Sequence, residues 1–195
     1  AASRLKKLTS LPLWIGSRVH DTIEGLLREA RSGSEIDVEA AIARMVERMR
    51  ADFLASRSGG WAERNGHSST VRFHEHEYAH PPAADDWARR VESAKEMVRH
   101  FARHDYLDRV RAGRPARVRA LEDLEDWPLD GVKIYVKIDL AFEDADGTVH
   151  IIDWKTGQRE HGETPLQMLG YALFAVRRWG LSLERLRVKE IFLAK

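Results

Sequence analysis

The sequence contains no cysteine, which excludes disulfide staples, thiolate zinc sites and cysteine-ligated iron–sulfur clusters from these 195 residues. No apolar run approaches the roughly 20 residues needed to cross a bilayer, and no signal-peptide pattern opens the chain. A cytoplasmic protein without membrane attachment is therefore expected. There is no internal repeat and no Walker-type Gly-x-x-x-x-Gly-Lys-Ser/Thr loop, so any ATP-driven motor belongs to a separate domain or partner. The net charge of +1 lacks the basic excess of an indiscriminate nucleic-acid coat, although it allows a localised basic groove. The chain opens Ala1-Ala2-Ser3 without Met, as a piece of a longer protein would.

What is present fits one soluble domain with a real core: 43% hydrophobic and 32% charged residues. The charge is unevenly spread. Seven arginines fall within residues 99–119 against Asp105 and Asp108, whereas Leu121 to Asp130 holds five acids and no base. Such segregation is either a set of solvated helix faces or an electrostatic track. Arg111, Arg114 and Arg117, with Lys133 and Lys137, are the candidates for holding phosphates.

Periodicity predicts a helix over 12–31, with Ile15, Val19, Ile23, Leu26 and Ala30 on one stripe and Gly33 as its stop. A second helix follows Asp37. Alternation predicts a strand from Thr70 to Ala79, and apolar spacing predicts one helix over 84–111. A hairpin, a helix and a last strand over Leu186 to Leu193 complete an α/β chain, with helices covering a mixed sheet. His74 and His76 would share a strand face, but no third ligand stands at zinc spacing. Trp14, Trp61, Trp87 and Trp179 sit on or near apolar stripes, where core packing competes with stacking on unpaired bases.

The hairpin carries the chemistry. Its first arm is the run Val132 to Phe142, with Asp139 inside it; its second holds Val149-His150-Ile151-Ile152-Asp153-Trp154-Lys155-Thr156-Gly157. Residues two apart on a strand point the same way, so Asp153 and Lys155 share a face. A two-residue Asp-Gly turn would send Asp139 to the other face and make no site, whereas a three-residue loop Ala145-Asp146-Gly147 puts Gly147 in the left-handed position and sets Asp144 opposite Thr148. Asp139 then faces Asp153, and Lys137 faces Lys155. Alternation through Val132, Ile134, Val136, Ile138, Leu140 and Phe142 places Lys137 and Asp139 on the other face. Two facing aspartates are mutually destabilising unless a cation neutralises them. Oxygen ligands select hard ions, so Mg²⁺ or Mn²⁺ is expected. Beside a phosphodiester, Lys155 would stabilise transition-state charge, or orient and deprotonate the water.

The pattern Ile138-Asp139 … Ile152-Asp153-Trp154-Lys155-Thr156-Gly157 resembles the PD-(D/E)XK nuclease superfamily, in particular its RecB-like and Cas4-like branch. Gly16-Ser17-Arg18-Val19-His20 is similar to the branch's helical G-x-x-x-H, and Gln167-Met168-Leu169-Gly170-Tyr171-Ala172 to its Q-x-x-x-Y. The resemblance implies that Asp139, Asp153, His20 and the backbone carbonyl of Trp154 bind metal and that Lys155 is the catalytic lysine. It also implies that Gln167 and Tyr171 support the site. Glu24, four residues after His20, is either a further ligand or a partner that orients the imidazole. Gln167 also closes a capping box, Thr164-Pro165-Leu166-Gln167, with Gln167 and Tyr171 set apart from a core stripe of Leu166, Leu169, Leu173 and Val176. Ile138 replaces the proline of the superfamily's name, and the cluster-binding cysteines of some members are absent.

The implied fold is a restriction-endonuclease-like core, a central mixed sheet flanked by helices. Residues 1–195 would form one nuclease domain, with the core at 12–31 and 130–195 and a helical insertion over about 35–112. The implied function is a metal-dependent deoxyribonuclease, exonuclease-like on single strands or ends, in repair, recombination or defence. A helicase or another repair or defence protein is a candidate partner. Two rivals stay open: a catalytically silent DNA-binding or docking module, and an RNA-cleaving enzyme with the same metal site.

Overall fold

In a computed structural model, which describes residues 8–58, 71–78, 80, 82–112, 116–157 and 166–194, the chain forms two compact units. One comprises residues up to Ile23 together with Asp37–His100, the other Glu24–Ile36 and the chain from Phe101 onward. Helix α1 (Leu11–Ser32) contributes to both. Trp61, Arg114 and the Thr164-Pro165 half of the expected capping box lie outside the described residues.

The first unit is mainly helical. A short strand β1 (Leu8–Thr9) leads into α1, and α2 (Val38–Arg57) begins where expected: Asp37 accepts from Ala40 N–H at 2.9 Å, the side-chain cap its position predicts. The strand predicted from Thr70 to Ala79 shrinks to β2 (Arg72–Phe73), parallel to β1, followed by the one-turn helix α3 (His74–Glu77). Only its first residues have buried side chains. Phe73 N–H goes to Ser56 Oγ, and Glu75 Oε1 accepts from Leu11 N–H. His76 Nδ1 lies 2.9 Å from the same Ser56 hydroxyl and its ring packs edge-on against Phe53, so this histidine is structural. Burial lowers its pKa. The helix predicted over 84–111 is broken: α4 spans Ala84–Ala102 and α5 Tyr106–Val110, with His104 N–H turned back to the Phe101 carbonyl.

In the second unit Gly33, at φ +79°, stops α1 as expected. Strands β3 (Arg117–Ala120), β4 (Leu124–Leu129), β5 (Val132–Lys137), β6 (Leu140–Glu143), β7 (Val149–Lys155) and β8 (Leu186–Phe192) follow, with α6 (Leu166–Trp179) before the last. The central sheet has the order β3-β6-β7-β8, antiparallel except for the β7–β8 pair, and β4 and β5 form a separate hairpin. This is the expected mixed sheet flanked by helices. On one face Ala141, Val149 and Ile151 pack with Met168, Tyr171, Phe174 and Ala175 of α6. On the other, Phe142 and Trp154 meet the rings of Phe101 and Tyr106.

Turn chemistry fixed the register of the β6–β7 hairpin. Gly147 adopts φ +79°, its N–H returns to the Asp144 carbonyl, and Asp144 N–H reaches the Thr148 carbonyl at 2.9 Å. A methyl on Gly147 would run into the Arg185 guanidinium. That flexible side-chain end can move aside, so Gly147→Ala is expected to lower stability by ~1–2 kcal/mol, the cost of a left-handed Cβ. An unchanged Tm would show that this turn does not hold the register.

The first arm is not one strand. β5 pairs with β4, β6 pairs with β7, and the chain changes partner at Ile138–Asp139. The proposed alternation fails there: Ile134, Val136 and Ile138 pack on the α6 side, whereas Phe142 points to the other face. Lys137 consequently stands opposite Leu124 rather than Lys155. Helix α6 also differs from its predicted phase. Met168, Tyr171, Phe174 and Ala175 are buried, while Leu166 and Leu169 are 82% and 55% exposed. Tyr171 turns inward because the sheet offers its hydroxyl polar partners. Among the described residues, no helix is long and apolar enough to cross a membrane.

Candidate active site

Alternation along β7 puts Val149, Ile151, Asp153 and Lys155 on the face that α6 covers. The β6–β7 ladder ends with Leu140 opposite Ile152, and Asp139 is the residue just before it. The break in the first arm gives Asp139 its place. The Ile138 carbonyl takes the Glu122 N–H at 2.9 Å, and Trp154 N–H donates instead to Asp139 Oδ2 at 2.7 Å. A carboxylate thus occupies the acceptor position that a continued ladder would fill with backbone.

Asp153, 3% exposed, anchors a polar chain. Lys155 Nζ lies 2.7 Å from Asp153 Oδ2 and donates to Gln167 Oε1 at 2.7 Å. Gln167 Nε2 donates to Asp153 Oδ1 at 3.1 Å and to the Tyr171 hydroxyl at 2.7 Å. That hydroxyl has one proton to share between the Lys137 carbonyl at 2.8 Å and Asp153 Oδ1 at 3.1 Å. Burial raises the Tyr171 pKa, reinforced by the charges of Asp153 and Asp139, so it stays a neutral donor. The i,i+4 spacing of Gln167 and Tyr171 brings both to Asp153. Glu190, paired with Asp153 across β7–β8, places Oε1 3.7 Å from Lys155 Nζ.

A second group of acids surrounds Lys137. Its ammonium bonds Glu122 at 2.6 Å, and its pKa is raised by that bond first, then by the charges of Glu122, Glu24 and Asp139. Glu24 is held by Arg28 at 2.8 Å, and the same guanidinium donates to the Leu121 carbonyl. Glu122 and Asp139 are each 7% exposed. Two buried carboxylates, Glu122 and Asp139, and the half-buried Glu24 act on this ammonium, with Arg28 as the second cation, a group rich in hard oxygen donors. Such a donor set fits Mg²⁺ or Mn²⁺.

Glu122 went unnoticed in the sequence. It adopts φ +56°, rare for a non-glycine residue, and its N–H lies 3.2 Å from the Asp139 carbonyl as well as bonding to Ile138. No local pattern marks it among the five acids of its segment. Trp154 contributes backbone here; its ring is buried on the opposite face against Phe101 and Tyr106. His20 and Glu24 lie one turn apart on α1, either side of the boundary between the units.

Residues 2–194 match the family model of the PD-(D/E)XK nuclease superfamily. The chain belongs to that superfamily. No curated protein matches the sequence closely enough to add to this. Superfamily membership points to a nuclease, and the mixed sheet flanked by helices is consistent with the restriction-endonuclease-like fold. PD-(D/E)XK nucleases use divalent metals, which agrees with the oxygen-rich donor set around Asp139.

The basic residues expected to hold phosphate mostly have acidic neighbours. Lys133 bonds Asp126, Lys137 bonds Glu122, and Arg111 lies 3.7 Å from Asp108, whereas Arg117 is an exposed residue of β3.

Proposed function

We propose that this chain is a metal-dependent deoxyribonuclease of the RecB-like branch, cutting phosphodiester bonds on single strands or at ends. The observation that carries the reading is the bonded set Asp153–Lys155–Gln167–Tyr171, with Asp139 bonded to the N–H of Trp154 between Asp153 and Lys155. A lysine held beside a buried aspartate, on a face shared with a second one, is what attack on a phosphodiester requires. Asp139, Asp153, the Trp154 carbonyl and His20 are the proposed metal ligands. His20 precedes Glu24 by one turn of an unbroken helix. A bound divalent ion would supply Lewis-acid polarisation of the phosphate and a lower pKa for water.

The residues of the chain then have distinct tasks. Asp153 and Gln167 fix the Lys155 ammonium, which needs no reorganisation to meet charge developing on the phosphate. Tyr171 holds Gln167 and ties α6 to the backbone at Lys137. Glu24, through Arg28, braces the Leu121–Glu122 turn. Repair, recombination or defence, with a helicase or similar partner, is the setting in which such an enzyme would act.

The test is cleavage of end-labelled single- and double-stranded DNA with Mg²⁺ or Mn²⁺, and with EDTA. Cleavage that chelation abolishes is expected. DNA retention without cleavage under either metal would instead identify a silent binding module. Preferential cutting of matched single-stranded RNA would make the substrate RNA.

A further inference from the structure

Strand β8 brings to the site a carboxylate that lies outside the sequence motifs. Glu190 stands beside Asp153 in the parallel β7–β8 register. Alternation from Leu186 and Val188, which pack with α6, puts its side chain on the face of Asp153 and Lys155. That side chain is only 17% exposed, so water does not account for its charge. Arg187 and Lys189, opposite His150 and Ile152, take the other face, and β8 itself offers Glu190 no cation there. Among the described residues its cationic partner is Lys155, with Oε1 3.7 Å from Nζ. Like charges side by side on neighbouring strands are mutually destabilising. The Lys155 ammonium relieves that repulsion, and its contacts are unequal: 2.7 Å to Asp153 Oδ2 and to Gln167 Oε1, but 3.7 Å to Glu190.

The distances divide the labour. Asp153 is a proposed metal ligand. With its charge engaged by an ion, Gln167 and Glu190 are the acceptors left around the ammonium, and Gln167 is neutral. A carboxylate at 3.7 Å is too far to take a hydrogen bond from the ammonium in competition with a phosphate oxygen, yet near enough to keep a positive charge in place. We propose that Glu190 is a positioning residue, which holds the Lys155 ammonium at the site without ligating metal. For its catalytic consequence the proposal rests on the nuclease reading.

Glu190→Gln keeps the size of the side chain and removes its charge. In the full chain, with Mn²⁺ and end-labelled single-stranded DNA, it is expected to lower kcat about tenfold with KM unchanged. In a Lys155→Ala background the same substitution should cost nothing further. Two readouts need no turnover. The rise in Tm with added Mn²⁺ should persist in Glu190→Gln, whereas loss of a ligand would remove it. In EDTA, Glu190→Gln should raise Tm by about 2 °C in the Lys155→Ala background, where the two acids have lost the ammonium, and should not raise it in wild type. Wild-type kcat in Glu190→Gln, an equal loss in the Lys155→Ala background, or a lost Mn²⁺ rise would overturn the proposal. So would an equal Tm change in both backgrounds. Absence of metal-dependent cleavage by wild type would sink the nuclease reading alone, and the comparison in EDTA would still decide whether Glu190 holds Lys155.

Discussion

Lys155→Ala should reduce DNA cleavage by about 10²–10³-fold or more, the effect of removing one preorganised transition-state donor. Its ammonium is the cationic end of the Asp153–Gln167–Tyr171 chain, and Glu190 at 3.7 Å adds a second carboxylate to hold it. The fold should survive. The lysine side chain is 28% exposed, and Asp153 keeps the Gln167 amide and the Tyr171 hydroxyl as hydrogen-bond partners. Far-UV circular dichroism should stay close to wild type while turnover collapses; Tm should fall, because both of those bonds reach Oδ1 and the buried Oδ2 loses its lysine. Lys155→Arg should not rescue, because a planar fork cannot replace a compact ammonium between Asp153 and Gln167. Metal-dependent turnover in Lys155→Ala above a tenth of the wild-type rate would remove Lys155 from the mechanism.

The legible parts of this molecule are those decided by a few neighbouring residues. Gly147 dictated the turn, the turn dictated the register, and the register brings Asp139 to the end of the ladder, where its side chain meets the Trp154 N–H. Asp37 and Gly33 marked helix ends for equally local reasons: one side-chain cap and one left-handed backbone. Where distant partners decide, the same reasoning fails. Alternation from Val132 to Phe142 cannot distinguish one strand from two, because the break depends on β4 and on the Glu122 N–H. The phase of α6 was misjudged because leucines outnumber polar groups on the wrong side. The buried face is instead Met168, Tyr171, Phe174 and Ala175, with the Tyr171 hydroxyl reaching the Lys137 carbonyl and Asp153. Glu122 needs both a left-handed backbone and the broken ladder, and neither has a signature within its own segment.

Replacing Asp139 separates its two tasks. Asp139→Asn keeps an oxygen that can accept the Trp154 N–H, so the hydrogen bond now at 2.7 Å can persist. Asp139→Ala leaves that buried donor without an acceptor, a loss of roughly 1–3 kcal/mol. Both variants should lose cleavage, since each removes a proposed ligand charge beside Glu122. Only the alanine variant should lose substantial Tm. Metal adds a second readout. An ion that binds only the folded state at 100 times its Kd stabilises by about 2.7 kcal/mol, so wild-type Tm should rise with added Mn²⁺. In Asp139→Asn that rise should be largely absent. Wild-type cleavage in Asp139→Asn, or an undiminished Mn²⁺ shift, would mean that the Asp139 carboxylate serves the backbone of β7 and not an ion.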